Sequence, residues 1–363
     1  MLPLFSLSSP IPPTFSQFPA IYRTHPTHHS PKASITTKMS SLRANFPEQV
    51  DSGGPPIASR GRRESYARTD ESVTFEYPDE SQMPHSPTIE GMRYKRTLTE
   101  FSLEKKVTIV TGGARGLGLV MSQAILTSGA DLAIVDLNKD EAEYQANNLV
   151  RQFKEENPTL ELPPKITAHY ADVSSPDSVN KALEEIIAQH GRIDNLVTSA
   201  GFTENFDAIH YPHERMQKCW AVNVDGSYLF ATGVARHLIE RKAPGSIVMI
   251  GSMSGAVVNV PQPQAPYNAA KAAVRHLASS FAVEWAPYDI RVNCISPGYM
   301  MTALTRKILD ENPELEEKWT SLIPAGKMGA PEDLMGPVTF LLSDAAKYVT
   351  GADLRVDGGY TLT

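Results

Sequence analysis

Residues 107–136 read VTIVTGGARGLGLVMSQAILTSGADLAIVD, and this stretch decides the fold. It opens on a short apolar and β-branched run, which is typical of a strand buried on both faces of a parallel sheet. A glycine-rich segment, residues 111–118, follows, then a helical stretch to about residue 128 and a second apolar run that ends at Asp136. Strand, turn, helix and strand within about thirty residues have the size of one β-α-β unit.

The glycine-rich turn has the features of a phosphate-binding loop. Its glycines let the backbone turn tightly and approach a phosphate, and the N-terminus of the following helix stabilises the negative charge. Asp136 can accept hydrogen bonds from an adenosine ribose and would repel a 2′-phosphate. The glycine spacing differs from the G-x-G-x-x-G fingerprint, and such a turn also occurs in other α/β proteins. The β-α-β context favours a dinucleotide site.

Strand-like and helical segments alternate along the rest of the chain. Further short apolar strands are predicted at 166–170, 196–198, 246–250, 290–295 and 354–356. Helices are predicted at 141–156, 174–189, 213–237 and from 268 onward. This alternation predicts an α/β fold: a single Rossmann-like domain over residues 101–363, with a doubly wound, seven-stranded parallel sheet.

Composition excludes several classes of function. The net charge of −7 and the lack of a basic stripe argue against a nucleic-acid partner. No apolar run approaches the ~18 residues of a membrane span, so no membrane association is expected. The two cysteines, Cys219 and Cys294, lie in apolar segments and are predicted to be buried thiols in a reducing, cytoplasmic compartment. No histidine or cysteine cluster has metal-ligand spacing, so no metal is predicted.

The first hundred residues differ from the rest. Residues 1–100 are rich in proline, serine, threonine and histidine at first and lack apolar periodicity, which predicts a disordered N-terminal extension. The first acidic residue is Glu48, and an acid-free, serine-rich start leaves mitochondrial import as the alternative to a cytoplasmic location. Five prolines before residue 20 would break the amphipathic helix of a transit peptide.

Tyr267 and Lys271 stand four residues apart in an alanine-rich segment, so they lie on one face of a helix. A lysine ammonium beside a tyrosine hydroxyl favours the phenolate, which lowers the tyrosine pKa from its usual ~10 and allows proton exchange with a substrate. Ser252 follows the strand 246–250 and could hold a carbonyl or hydroxyl against the tyrosine. Taken alone, this spacing more often marks a half-buried aromatic beside a solvated charge.

Ligands of such sheets bind outside the carboxyl ends of the strands, where all of these residues fall. Over residues 103–363 the sequence resembles the short-chain dehydrogenases/reductases. The resemblance rests on T-G-x-x-x-G-x-G at 111–118, Asp172, Ala200-Gly201, V-N-V at 222–224, Ser252, Y-x-x-x-K at 267–271, P-G at 297–298 and V-D-G-G at 356–359. It implies an NAD(P)-dependent oxidoreductase that acts on a CH–OH group.

The resemblance also implies site residues. Asn223 would hold a proton-relay water and Ser252 would orient the reacting oxygen. Tyr267 would be the acid/base, and Lys271 would hold the nicotinamide ribose and lower the tyrosine pKa. The implied cofactor contacts are Gly112, Arg115, Gly116, Leu117, Gly118, Asp136, Asp172 and Val173 (adenine), Ala200, Gly201, Tyr267, Lys271, and Ile295, Pro297 and Thr302 (nicotinamide end).

Two departures from the family pattern leave alternatives open. The usual N-N-A-G is T-S-A-G at residues 198–201 here, so no role is carried over to Ser199. The interval between Ser252 and Tyr267 is two residues longer than is common, which makes Ser254 a possible rival. Ser252 is preferred because it comes almost directly after the strand.

A longer motif points to a narrower group. The pattern S-M-S-G-x-V-V-N-x-P-Q-P-Q-x-x-Y-N at 252–268 resembles fungal polyol dehydrogenases and ketose reductases, which act on mannitol, sorbose, arabinitol or xylulose. It implies interconversion of an acyclic polyol, such as D-arabinitol, and its ketose. The family resemblance implies a homotetramer, or a dimer. The substrate wall is expected to include the loop 202–211, Gln262, Gln264 and Tyr299. The two glutamines could instead be solvated amides of a Pro-Gln turn.

The cofactor signals conflict. Arg115 stands where a basic residue can meet a 2′-phosphate, whereas the Asp136 carboxylate disfavours one. NAD is therefore predicted, with NADP as the alternative. Two other functions stay open: the same chemistry on another secondary alcohol or ketone, such as a secondary metabolite, and a non-catalytic NAD(P)-sensing scaffold. A scaffold would be expected to lose Ser252, Tyr267 or Lys271.

Overall fold

The strands of the protein form one parallel sheet with helices on both faces. The structure is a computed structural model that describes residues 98–159 and 163–362. Its strands are β1 (Val107–Thr111), β2 (Asp131–Asp136), β3 (Ile166–Tyr170), β4 (Asn195–Thr198), β5 (Gly245–Ile250), β6 (Ile290–Pro297) and β7 (Asp353–Val356). Within the described residues the sheet has seven strands, all parallel, in the order β3-β2-β1-β4-β5-β6-β7. The predicted fold class is confirmed. The predictions for residues 1–97 lie outside the described part.

Nine α-helices connect the strands in the described part of the chain. They are α1 (Gly116–Thr127), α2 (Lys139–Glu156), α3 (Pro176–His190), α4 (His213–Trp220), α5 (Gly226–Arg241), α6 (Ala265–Trp285), α7 (Ala303–Asp310), α8 (Pro313–Ser321) and α9 (Met335–Leu342). The single helix predicted over 213–237 is wrong in one respect, because a π-helical turn, Ala221–Asp225, separates α4 from α5. Helices α7, α8 and α9 were not predicted. None of the described helices is long and apolar enough to span a bilayer.

The core lies on both faces of the sheet. Ile109 of β1 belongs to the cluster beneath α3, α5 and α6, together with Phe230 and Phe281. Its neighbour Val110 belongs to the cluster beneath α1, α2 and α9. Successive strand residues point to opposite faces, so a strand covered on both sides is apolar at every position. Full burial of each such side chain contributes about 1.5–3 kcal/mol, which explains the continuous apolar runs in the sequence.

The strand order reverses direction between β1 and β4, which creates a crevice at their carboxyl ends. The amino ends of the same two strands are joined by Asp194, whose Oδ2 accepts the backbone N–H of Val107 at 2.9 Å. Arg192 donates to this buried carboxylate through two nitrogens. The two cysteines, Cys219 and Cys294, are buried free thiols, as predicted.

Candidate active site

Helix α6 presents Tyr267 and Lys271 on one face. The helix begins at Ala265 and has Pro266 in its first turn, where a missing N–H removes no helical hydrogen bond. Lys271 Nζ lies over the Tyr267 ring, 5.7 Å from its centroid, and donates to the carbonyl of Ile250 at 2.9 Å. This hydrogen bond connects α6 to the end of β5, and it is shielded from water because the lysine is only 5 % exposed.

Ser252 lies just beyond β5, at the start of a short 3₁₀ turn, Met253–Gly255. Its Oγ accepts the backbone N–H of Ser254 at 3.1 Å, which caps the turn. Its hydroxyl is near enough to Tyr267 to lower the pKa of that tyrosine. A Cβ on Gly255 would lie 2.7 Å from the carbonyl carbon of Lys271, so only glycine lets the turn sit against α6. The structure thus places Ser252 against the tyrosine.

The π-helical turn positions Asn223 beside this pair. Its Nδ2 donates to the carbonyls of Cys219 (2.9 Å) and Phe202 (3.0 Å), which fixes the orientation of the amide. Its Oδ1 is buried and has no hydrogen-bond partner among the described residues. A Cβ on Gly201 would lie 2.6 Å from this Oδ1 and 3.4 Å from Lys271 Nζ, so a buried acceptor and an ammonium border the same small space. Such a pair suits a shared polar ligand such as water.

The pKa values of the pair differ from the prediction. Burial raises the pKa of Tyr267 to about 12, and only the hydrogen bond from Ser252 acts against it. Burial lowers the pKa of Lys271 to about 8. The expected lowering of the tyrosine pKa by Lys271 is therefore wrong for this structure. The physical reason is that the ammonium is bonded to Ile250 and lies over the ring rather than beside the hydroxyl, so desolvation of the phenolate dominates.

The glycine-rich turn between β1 and α1 forms an open cradle. Gly112 has φ +64°, and a Cβ there would lie 2.8 Å from the Cα of Ala200, so this glycine allows β1 and β4 to approach. Gly116 has φ +56° and faces open space at the N-terminus of α1. A Cβ on Gly118 would overlap the Gly112 carbonyl oxygen, which closes the turn against the helix. Leu117 differs from its neighbours because its side chain packs on the core.

A pocket of about 420 Å³ lies at the carboxyl end of β2. The Asp136 carboxylate in it accepts backbone N–H groups of Ala114 (3.2 Å) and Asn138 (3.0 Å), and is only 7 % exposed. The exposed Arg115 lines the same pocket. The sequence analysis missed Lys139 and Tyr170, which also line this pocket. Lys139 follows β2 closely in the chain, whereas Tyr170 is brought there by the pairing of β2 with β3.

The remaining predicted cofactor residues surround the same edge of the sheet. Asp172 accepts the backbone and hydroxyl groups of Ser174 at 3.0 and 2.6 Å, and Val173 packs against Gly226. The Ala200 N–H donates to Thr111 Oγ1 at 3.3 Å. Ile295 and Pro297 lie on β6, where the Ile295 carbonyl accepts the N–H of Gly251 at 2.8 Å. Thr302 caps α7 and borders an 830 Å³ cleft that also reaches Gly116.

The expected substrate wall is partly different. Tyr299 stacks on Trp319 with ring centroids 4.3 Å apart, and its hydroxyl pairs with the Gln262 amide at 3.1 Å. Gln264 is 6 % exposed, and its Nε2 lies within 3.2 Å of three protein acceptors. Its amide nitrogen is thus used internally, contrary to the expectation that it faces a polyol. The loop 202–211 is bound to the same region because the Phe206 N–H donates to the Pro263 carbonyl at 2.9 Å.

These residues fit a nicotinamide dinucleotide. The open cradle at Gly116 would take the pyrophosphate, the pocket at Asp136 the adenosine ribose, and the space beside Asn223 and Lys271 the nicotinamide end. When bound, the nicotinamide supplies the centre that accepts or gives a hydride. Fold and site together define a class: α/β oxidoreductases that use such a dinucleotide.

Comparison with known proteins identifies the family. A family model described as enoyl-(acyl carrier protein) reductase matches residues 112–361. D-arabinitol 2-dehydrogenase [ribulose-forming] of Candida tropicalis is 40% identical over 271 residues, 74% of this chain and 96% of that protein. NADH-dependent L-xylulose reductase of Ambrosiozyma monospora is 39% identical over 264 residues, 72% and 97% of the two chains. The crystal structure of a gluconate 5-dehydrogenase from Burkholderia cenocepacia J2315 in complex with NADP and tartrate is similar to this chain, with a TM-score of 0.65 and 32% sequence identity. The match covers 73% of this chain and 98% of that one. The chain belongs to the short-chain dehydrogenase/reductase family.

Proposed function

We propose that the chain interconverts an acyclic polyol and its ketose by hydride transfer between a secondary hydroxyl and NAD. The enzyme class is that of the NAD(P)-dependent oxidoreductases acting on CH–OH groups. One observation carries the proposal: three separate elements bring Asn223, Ser252, Tyr267 and Lys271 to one partly buried place beside the cofactor cradle. The same convergence argues against a non-catalytic scaffold.

In the proposed mechanism Tyr267 exchanges a proton with the substrate oxygen. With a pKa of about 12 it is protonated at neutral pH, so it is ready to protonate a ketone as the hydride arrives. In the oxidative direction the deprotonated tyrosine takes the hydroxyl proton while the carbon loses its hydride. Ser252 donates a hydrogen bond to the same oxygen. Lys271 holds the ribose, and Asn223 Oδ1 binds a water that returns protons to the solvent.

The choice of NAD rests on Asp136. A 2′-phosphate in its pocket would meet a buried carboxylate held in place by two backbone N–H groups, and the cost of that contact exceeds what the exposed Arg115 offsets. The xylulose reductase relative is named as NADH-dependent, whereas the gluconate dehydrogenase structure contains NADP. NADP is therefore the alternative that the test must include.

The choice of a polyol as substrate rests on two polar side chains of the expected substrate wall. Gln262 and the Tyr299 hydroxyl form a half-buried pair on the expected substrate wall, and they could exchange their mutual bond for bonds to a hydroxylated chain. Relatives named as acting on D-arabinitol and L-xylulose support the same class. We further propose that residues 101–363 form the catalytic domain behind an N-terminal extension, in a cytoplasmic homotetramer.

The test is a spectrophotometric screen at ~340 nm of the purified protein with NAD or NADP against a panel of pentitols and hexitols. Turnover of a polyol with NAD is expected. Tyr267→Phe should reduce kcat by about 10²–10⁴-fold, because it removes the acid/base. Tyr288→Phe is the matched control, since that side chain is half exposed on the turn after α6. Full activity of Tyr267→Phe, or no turnover of any polyol, would refute the proposal.

A further inference from the structure

A chain of buried hydrogen bonds leads away from the catalytic serine. Ser252 Oγ donates to Ser254 Oγ at 3.1 Å, and Gln264 Nε2 donates to the same Ser254 oxygen at 3.2 Å. The amide nitrogen of Gln264 also lies 3.2 Å from Asn259 Oδ1 and 2.9 Å from Asn268 Oδ1, so its two hydrogens are shared among three acceptors. Ser252, Ser254, Asn259 and Gln264 are each less than 9 % exposed, so water does not compete for these bonds.

The number of hydrogens limits what Ser252 can do. A serine hydroxyl carries one hydrogen, and in the observed arrangement Ser252 gives it to Ser254. A hydrogen bond between Ser252 and a protonated Tyr267 would then have to use the tyrosine hydrogen, with Ser252 as the acceptor. In this arrangement Ser252 has no hydrogen left for a phenolate or for a substrate oxygen.

The Ser254 hydroxyl can remove this limitation. Gln264 Nε2 can only donate, so it occupies a lone pair of Ser254 Oγ and leaves the Ser254 hydrogen free to turn. If that hydrogen turns towards Ser252 Oγ, Ser252 can turn its own hydrogen towards Tyr267 or the substrate. Every hydroxyl keeps its own proton in this change, and only the direction of two hydrogen bonds reverses.

We propose that Ser254, held by the Gln264 amide, is a positioning residue that reverses the hydrogen-bond direction of Ser252 as Tyr267 changes its protonation. With Tyr267 protonated, the bonds run from Tyr267 to Ser252 to Ser254. With Tyr267 deprotonated, they run from Ser254 to Ser252 to the phenolate or the substrate oxygen. Two aligned donors stabilise a negative oxygen more than one does, so the second serine lowers the pKa at which Tyr267 becomes a base.

This inference rests on the proposed roles of Ser252 and Tyr267 and is tested by the pH dependence of polyol oxidation. In Ser254→Ala the rising limb of kcat/KM should move up by about 0.5–1 pH unit, because one hydrogen bond that stabilises the phenolate is lost. Since the pKa of Tyr267 is about 12, the midpoint is defined here as the pH at which kcat/KM reaches half of the wild-type value at about pH 9. The falling limb of ketose reduction should move in the same direction. Below the midpoint, oxidation should slow by up to about tenfold, with little change in KM.

Two variants separate positioning from structure. Ser254→Thr keeps a hydroxyl and should restore the wild-type midpoint. Ser246→Ala removes another buried serine hydroxyl, at the opposite end of β5, where it donates to the Leu341 carbonyl at 2.8 Å. It should affect Tm alone. A Ser254→Ala midpoint equal to that of the wild type would overturn the proposal, and so would a shift that Ser254→Thr does not reverse.

The outcomes also separate this inference from the proposed function. If Tyr267→Phe retains activity, or if the wild type oxidises no polyol, the proposed function fails before Ser254 is compared. If Tyr267→Phe is inactive and Ser254→Ala keeps the wild-type midpoint, only the role of Ser254 is refuted.

Discussion

At the scale of single residues, burial pushes both members of the Tyr267–Lys271 pair towards their neutral forms. It raises the tyrosine pKa to about 12 and lowers the lysine pKa to about 8. In the proposed mechanism a neutral Tyr267 is the acid of reduction and is in place at neutral pH, whereas oxidation must first remove its proton. The two directions of the reaction should therefore respond differently to pH.

We predict that polyol oxidation rises with pH from 6 to 9 while ketose reduction stays level or falls. On its rising limb the oxidation rate should increase about tenfold per pH unit, because the deprotonated fraction of Tyr267 does so well below its pKa. The measurement is kcat/KM in both directions in buffers of constant ionic strength. An oxidation rate independent of pH over this range would contradict a tyrosine base.

A second residue-scale prediction concerns cofactor choice. Asp136→Asn keeps an oxygen acceptor for a backbone N–H but removes the negative charge from the pocket. We expect the ratio of kcat/KM for NADP to that for NAD to rise at least about tenfold, since about 1.4 kcal/mol of repulsion corresponds to that factor. Asp140→Asn is the control, because this exposed acid lines the same pocket. An equal change in both variants would show that Asp136 does not select the cofactor.

A third prediction concerns acid stability. The buried side chains of His169 and His190 share the hydroxyl of Thr167, each at 2.8 Å, and burial lowers the pKa of His190 to about 4. Below pH 6.5 His190 binds a proton in the unfolded chain, whereas in the folded chain it stays neutral down to about pH 4. Acidification between these values therefore favours unfolding. Glu185 lies beside the His169 ring and Asp131 beside the His190 ring. The positive charge of Lys165 lowers the pKa of His190 further.

His190→Gln should therefore flatten the fall of the unfolding free energy between pH 6.5 and 4, by up to about 1 kcal/mol per pH unit. Urea denaturation at a series of pH values measures it. His210→Gln, which changes an exposed histidine, should keep the wild-type slope. A slope in His190→Gln as steep as in the wild type would mean that other groups cause the acid sensitivity.

At the scale of elements, the 3₁₀ turn Met253–Gly255 controls the distance between Ser252 and α6. Gly255→Ala would force a Cβ to within 2.8 Å of the α6 backbone at Lys271 and Ala272, so the turn must move. We expect a loss of about 1–3 kcal/mol in stability and a larger loss of kcat than of cofactor affinity. Thermal unfolding and steady-state kinetics measure the two effects.

The control is Gly336→Ala on α9, where a Cβ meets open space. Position 336 is the second residue of α9 and precedes Pro337, which disfavours helical backbone for a residue with a Cβ, so this variant should gain no stability but should keep full activity. Should Gly255→Ala be as active as Gly336→Ala, the close contact of the turn with α6 would not govern the position of Ser252.

The sequence was sufficient for the elements whose own pattern determines them. Each strand buried on both faces is a short continuous apolar run, and the cap of α3, Ser175 followed by Pro176, is visible in the letters. Helices α7 and α8 were missed because they are short and largely exposed, and the π-helical turn at 221–225 has no pattern distinct from that of an α-helix.

Residues of the candidate site that share a helix face could be predicted from their spacing in the sequence. The hydrogen-bond partner of a side chain could not, because several acceptors compete for it in the folded chain. Tyr267 and Lys271 share a face because of their spacing alone. That Lys271 bonds to the Ile250 carbonyl, and that Gln264 points inwards to Ser254, depends on which acceptors the folded chain offers. No local pattern in the sequence contains that information.

At the scale of the whole molecule, helices α5 and α6 leave apolar side chains in solvent. Val283 is 78 % exposed on α6 and Tyr228 is 46 % exposed on α5, where it contacts Phe281 with ring centroids 5.7 Å apart. We propose that this face lies between subunits of the proposed homotetramer and predict that Val283→Glu lowers the oligomeric mass measured by light scattering, because a charge would then be buried between subunits. Val258→Glu, at an equally exposed position outside these helices, should not. An unchanged mass in Val283→Glu would exclude this face from the interface.

The reversal of strand order between β1 and β4 also has a consequence for how the protein is made. The partner of β1 on one side is the next strand in the sequence, but on the other side Asn195 of β4 bonds to Thr108 across 87 residues. During synthesis β1, β2 and β3 can pair first, and the other edge of β1 stays unpaired until β4 has been made. The contact between Gly112 and Ala200 forms only when that edge closes. A dinucleotide thus meets a closed β1–β4 edge only after β4 has been made and has paired, and by mass action it stabilises the molecules that have formed this contact.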